Sequence, residues 1–235
     1  MIPIGDTNRK GLFPIAVYAI VAVNVAVFLK ELAALDADAF INGLALIPYN
    51  VTHAIQLDPP SAPTLLTPLT SQFLHGGFLH IFFNMLFLAV FGPEVEHLTG
   101  HLRFVAFYLL CGVIGGLAQV AVTPDSHIPS VGASGAIAGV LGAYILSFPT
   151  NSIRTVVPVG CFPVLLQLPA ALIIGLWAIV QFVHGYGAIS TRVLSEQGGG
   201  IAYFAHIGGF LAGVFLIGLF RTRVPGPPRF GYRRR

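Results

Sequence analysis

The feature that most constrains this chain is a series of long apolar runs carrying Asp, Glu, Lys or Arg only at their ends. The runs show no period-2 alternation. They therefore read as helices rather than as strands of a closed barrel, the two structures a bilayer admits. Composition agrees, with 9% charged and 55% hydrophobic residues among 235 and a mean hydropathy of +0.83. A soluble domain needs about 25% charged residues to cover its water-facing surface. The expected fold is an all-α polytopic membrane protein.

Six spans are expected, at about 11–29, 78–91, 102–122, 134–148, 159–183 and 201–220. Residues 1–220 then form one membrane domain, and 221–235 an Arg- and Pro-rich tail expected to be disordered. The first run is longer than a typical signal-peptide core, so it reads as a retained helix. Residues 30–76 form a long connection rich in Pro and Asp, whose Leu and Phe content suggests partial embedding at the interface. Residues 92–100, 123–129 and 187–200 read as loops, and Pro163 and Pro169 break the fifth run early.

With the N-terminus inside, the inside segments hold Arg9, Lys10, Arg103, Arg154 and six tail arginines, against Lys30 and Arg192 outside, ten to two. The positive-inside rule therefore puts both termini in the cytoplasm, and the expected location is the cell (plasma or inner) membrane. The net charge of +3 sits in these loops and the tail, and points to the lipid bilayer rather than to nucleic acid. Cys111 and Cys161 read as small hydrophobes without metal spacing. The eight histidines include no HExxH. No metal and no cofactor is expected.

Polar groups inside the runs are few, and such groups need partners and often mark function. They are Asn24, His80, Asn84, Gln119, Ser134, Gln167, Gln181 and His206, with His184 at a helix end. His80 and Asn84 are four residues apart and share a helix face. The second, fourth and sixth helices run the same way, and His80, Asn84, Ser134 and His206 all come early in them. All four fall in the outer half of the membrane. Asn24, Gln119 and Gln181, late in oppositely directed helices, fall there too and read as inter-helix hydrogen-bonding groups.

Small residues suggest how two of these meet. Ser134 opens the run VGASGAIAGVLGAY at 131–144, and Ser134, Ala138 and Gly142 form one stripe of its helix. His206, Gly209 and Gly213 form a stripe of the sixth. Such faces let backbones approach closely, which would bring Ser134 to His206. A serine hydroxyl becomes nucleophilic when an adjacent base takes its proton, and a neutral imidazole can do so. No intramembrane carboxylate is available to orient the histidine, so the expected unit is a Ser–His dyad. Oxyanion donors would be the side chains of His80 and Asn84 and the Ser134 N–H at the helix start.

At these residues the chain resembles the rhomboid family of intramembrane serine proteases. The segments are HGGFLHIFFN at 75–84, GASG at 132–135 and AHIGG at 205–209, which match the family's HxxxN, GxSG and AHxxG motifs in order. The resemblance implies Ser134 as nucleophile, His206 as general base, and His80 and Asn84 on the oxyanion side. Gly142 resembles the glycine that admits the sixth helix. It also implies single-span membrane proteins as substrates, cut in their transmembrane segments near the outer face, and a fifth helix and overlying loop that move to admit them. One departure stands out: Leu66 and Thr67 occupy the place of a common Trp-Arg pair in the first loop. A client-binding relative would lack the Ser or the His. A transporter would show intramembrane charges or an inverted repeat, and the sequence has neither.

Overall fold

The computed structural model describes residues 1–7, 13–54, 62–191 and 202–222. In chain order the elements are β1 (Ile2–Asp6), α1 (Ile15–Ala33) and the short helices α2 (Ala37–Leu44), α3 (Pro48–Ala54), α4 (Ala62–Leu65) and α5 (Thr67–Thr70). A 3-10 turn at Ser71–Phe73 leads to α6 (Phe78–Thr99), α7 (His101–Val122) and α8 (Ser134–Ser147). Strands β2 (Ser152–Val159) and β3 (Phe162–Pro169) follow, then α9 (Ala170–Thr191) and α10 (Tyr203–Phe220). Among the described residues, five helices are long and apolar enough to cross a bilayer: α1, α6, α7, α9 over Ala170–Gly187, and α10. The protein is thus a mostly helical, integral, multi-pass membrane protein.

The fourth expected span is the exception in length. At 14 residues, α8 extends about 21 Å, short of the roughly 30 Å of a hydrocarbon core. Yet it is the most enclosed helix, buried at every residue from Gly135 to Tyr144 and surrounded by α6, α7, α9 and α10. A helix solvated by other helices need not match the bilayer. Ser134, its first residue, is half-buried.

Glycines set the spacing around α8. A Cβ added at Gly209 would lie 2.0 Å from the Gly135 carbonyl oxygen, and one at Gly142 would lie 2.2 Å from that of Phe210. On the other side of α10, a Cβ at Gly115 of α7 would lie 2.5 Å from the Ala205 carbonyl oxygen. Backbone meets backbone along α7–α10–α8. The ridge on α8 is Gly135, Gly139 and Gly142 rather than the expected Ser134, Ala138 and Gly142. Gly135 and Gly139 present their carbonyls to Gly209 and Gly213, and at Gly142 a Cβ would meet the backbone of α10; Ala138 is fully buried but stands beside the seam.

The fold is not all-α. An antiparallel sheet of order β1-β2-β3 lies at the end of the bundle opposite Ser134. Residues 159–169, expected to open the fifth span, instead complete a hairpin in which Val156 pairs with Leu165 and Pro158 with Pro163. Hydropathy cannot separate a short apolar strand from a buried helix segment. Here the prolines exclude a helix interior and the β-branched valines favour extension. The fifth helix begins at Ala170, whose N–H donates to Asn151 O at 2.8 Å.

Helix α6 also runs further than expected, through Pro93 and the residues read as a loop at 92–100. This places Glu94 and Glu96 in a buried helical turn, and α1 likewise extends to bury Glu31. Glu96 accepts from the N–H groups of Ala16 and Val17 at 2.9 and 2.8 Å and pairs with His101. It satisfies donors that the start of α1 leaves open, where the dipole favours an anion. Glu31 accepts from the His75 N–H at 3.0 Å.

The long first connection folds into short helices against α7. Leu46 and Ser130 form an antiparallel bridge, and the Tyr49 N–H donates to Ser126 O at 2.9 Å. At the departure noted in the sequence, Thr67 is buried and donates to Thr64 O at 2.7 Å, while Leu66 is exposed. The connection is anchored through Gln72, which lies over Gly112 and donates to Leu109 O at 3.2 Å. The expected start of the first span at 11, the loop preceding α10 and the tail from 223 fall outside the described residues.

Candidate active site

Ser134 is the first residue of α8 and His206 the fourth of α10. The glycine seam holds these helices so close that Ser134 Oγ lies 2.7 Å from His206 Nε2. The other ring nitrogen, Nδ1, is 2.8 Å from Gln181 Oε1 on α9. The amide nitrogen of Gln181 donates to Trp177 O at 3.4 Å, which turns its oxygen toward the imidazole. A carboxamide oxygen only accepts, so Nδ1 carries the ring proton and Nε2 is free to accept from the Ser134 hydroxyl. Trp177 adds a ring contact with His206, centroids 5.9 Å apart.

His80 and Asn84 stand across from this pair on one face of α6. Both line a cavity of about 630 Å³ together with Gly76, Phe83, Ser134, Trp177 and His206. His80 Nδ1 accepts from the Gly76 N–H at 3.3 Å. The neutral ring therefore carries its proton on Nε2. Asn84 is buried, and its Nδ2 has no hydrogen-bond partner among the described residues. An unpaired buried donor is costly, and here it belongs to the wall of a cavity that also holds a nucleophile.

Gly132, two residues before Ser134, shows why this turn needs glycine. Its φ is +125°, and a Cβ there would lie 2.8 Å from His80 Nε2 and 3.6 Å from Asn84 Nδ2. Its N–H donates to Ser71 O at 2.9 Å, tying the serine turn to the end of the first connection. The next glycine requirement lies across the seam at Gly209, whose added Cβ would collide with the Gly135 carbonyl, whereas a Cβ at Gly135 itself would come no nearer than 3.4 Å to Ala205 O.

All four residues singled out in the sequence thus line one cavity. Gln181 and Trp177 were not singled out for it. Its place in the sequence puts Gln181 at the right depth, but depth on one helix among six gives no pairing. His75, which the sequence reads as a loop residue, is 2% exposed, with its ring 5.2 Å from that of His80. Burial, with His80 beside it, pushes its pKa down to about 4.

The Rhomboid domain model matches residues 63–223. RHOMBOID-like protein 4 of Arabidopsis thaliana is 30% identical over 91% of this chain and 54% of its own length. Rhomboid protein 1, mitochondrial, of Saccharomyces cerevisiae is 29% identical over 88% of this chain and 53% of its own length. Rhomboid protease GluP of Bacillus subtilis is 44% identical over 34% of this chain and 15% of its own length. The chain spans about half the length of the longer-matching relatives.

Proposed function

This chain belongs to the rhomboid family, and we propose that it is an intramembrane serine endopeptidase cleaving transmembrane segments of single-span membrane proteins. The observation that carries the reading is the 2.7 Å contact between Ser134 Oγ and His206 Nε2, beside a cavity whose wall holds Asn84 Nδ2, a donor without a partner among the described residues.

In the proposed reaction His206 Nε2 takes the hydroxyl proton as Ser134 Oγ bonds to the scissile carbonyl carbon. The carbonyl π pair moves to oxygen, which becomes the oxyanion. Asn84 Nδ2–H, His80 Nε2–H and the Ser134 backbone N–H are suited to receive it. Asn84 Nδ2, without a partner among the described residues, has none to leave first, which is what electrostatic preorganisation requires. His206 then protonates the leaving nitrogen, the C–N bond breaks, and an acyl-serine remains. Water, deprotonated by the same imidazole, releases the new carboxylate and restores the hydroxyl.

Hydrolysis needs water and the bilayer core has little. The charge bias of the loops supports both termini lying in the cytoplasm. The Ser134 end of α8 then faces the outer leaflet, where water is near.

The test is cleavage of a model single-span substrate by protein reconstituted in liposomes. Ser134→Ala and His206→Ala are each expected to abolish cleavage while leaving thermal unfolding unchanged. A fluorophosphonate should label Ser134 in the wild type only. Wild-type turnover by either variant would overturn the dyad.

A further inference from the structure

Two places carry chemistry that the reading above does not use: the far nitrogen of His206 and the outer half of the β2–β3 hairpin. We propose that Gln181 is the positioning residue of the Ser134–His206 pair, a neutral third member supplied by α9. The inference rests on the proposed function. A neutral imidazole can carry its proton on either nitrogen, and only the Nδ1–H form leaves Nε2 able to accept from serine. Gln181 Oε1, 2.8 Å from Nδ1 and held by the amide's own bond to Trp177 O, selects that form. A carboxylate would do the same but would add a charge to a site inside the membrane, where charge is expensive. A carboxamide orients without that cost. Because Gln181 and Trp177 both lie on α9, the base is correctly set only while α9 is seated on α10. A second polar contact, Tyr203 Oη to His184 Nδ1 at 3.3 Å, joins the same two helices.

The experiment measures kcat and KM against pH in proteoliposomes for the wild type, Gln181→Leu, Gln181→Glu and Ser134→Ala. Gln181→Leu should lower kcat about tenfold or more, with KM little changed, as expected when a base loses its correct tautomer. Gln181→Glu keeps the acceptor, so it should restore most of kcat and move the acidic limb of the profile to higher pH. Wild-type kcat in Gln181→Leu would overturn the inference, as would a Gln181→Glu variant as impaired as Gln181→Leu with no shift of the limb. In either case an inactive Ser134→Ala would leave the dyad standing, whereas an active one would remove the premise.

An independent observation concerns the hairpin. No charged residue occurs between Arg154 and Arg192. The outer half of the hairpin exposes apolar side chains on both faces: Val159 and Phe162 on one, Leu165 on the other, at 57%, 76% and 59%. A docked protein would cover one face; a lipid phase covers both. The hairpin also leads directly into α9, whose Leu172, Leu176 and Ile179 are exposed along the membrane-facing side. We infer that this hairpin is seated in the bilayer at the boundary between headgroups and acyl chains. Deeper insertion is excluded because β3 is an edge strand, and unpaired edge groups are not tolerated in hydrocarbon.

Cys161, exposed at the hairpin turn, allows a direct test, since Cys111 is buried. An environment-sensitive fluorophore on Cys161 should show blue-shifted emission in liposomes and quenching by spin-labelled lipids carrying the label near the headgroup. Quenching by aqueous iodide alone would overturn the inference, and so would protection from both quenchers, which indicates a protein cover such as a second copy.

Discussion

Gly213 of α10 faces Gly139 of α8 so closely that a Cβ on Gly213 would lie 1.9 Å from the Gly139 carbonyl oxygen. This is backbone against backbone, with no flexible side chain to yield. The contact lies two turns below His206 on the same helix, so the distance between the helices there sets where the imidazole sits.

Gly213→Ala is therefore expected to destabilise the protein by about 1–3 kcal/mol, the range for overpacking, or more. It should also lower kcat by moving His206 away from Ser134. Gly218→Ala is the control: nothing lies within 4 Å of its added Cβ, and it should match the wild type. Unfolding in mild detergent and the cleavage assay check both.

Asn84→Ala is expected to lower kcat by roughly 10²–10³, the usual cost of a lost oxyanion donor, with KM little changed. His80→Ala should do the same to an equal or smaller extent. A stability measurement separates this from misfolding. Asn84 Nδ2 makes no hydrogen bond among the described residues, so its removal should leave the unfolding midpoint close to that of the wild type.

Glu96→Ala should show the opposite pattern. It strips two buried N–H groups of their acceptor, a loss of about 2–4 kcal/mol if each unsatisfied donor costs 1–2. The site lies elsewhere on α6, so turnover per folded molecule should be retained. Denaturant midpoints and active-site titration with a fluorophosphonate distinguish the two.

His75 makes stability depend on pH. Its folded pKa of about 4 lies below the ordinary value near 6.5. Between these values the unfolded chain binds a proton that the folded chain refuses. The stabilisation is complete above about pH 6.5 and is lost progressively as pH falls toward 4, by up to roughly 3 kcal/mol. The wild type should thus unfold more easily at pH 5 than at pH 7, and His75→Leu should flatten that slope.

What was legible in the sequence depended on signals carried locally. HxxxN places His80 and Asn84 on one face whatever surrounds α6. Hydropathy identified the membrane class because desolvating a backbone in lipid leaves few structures available. Hydropathy also misled where two structures share a composition. The run at 159–169 is apolar enough for a helix, and its valines and prolines decided for a strand only in the company of β1 and β2. Glu96 reads as a loop residue because a carboxylate in an apolar helix is costly, and its compensation, the open N–H groups of Ala16 and Val17, lies 80 and 79 residues away.

By itself, then, the sequence determined the class of fold, the ordered motifs and the chemical types at the site. A hydroxyl, an imidazole and two polar side chains stand there however the helices pack. Tertiary structure alone decided the contact ridge on α8, shifted from Ser134–Ala138–Gly142 to Gly135–Gly139–Gly142, because the seam runs where two backbones meet without a Cβ. It also decided that Gln181, one of several intramembrane amides of equal standing in the sequence, holds His206. A hydrogen bond between helices depends on their relative rotation, and rotation is set by packing rather than by any local pattern.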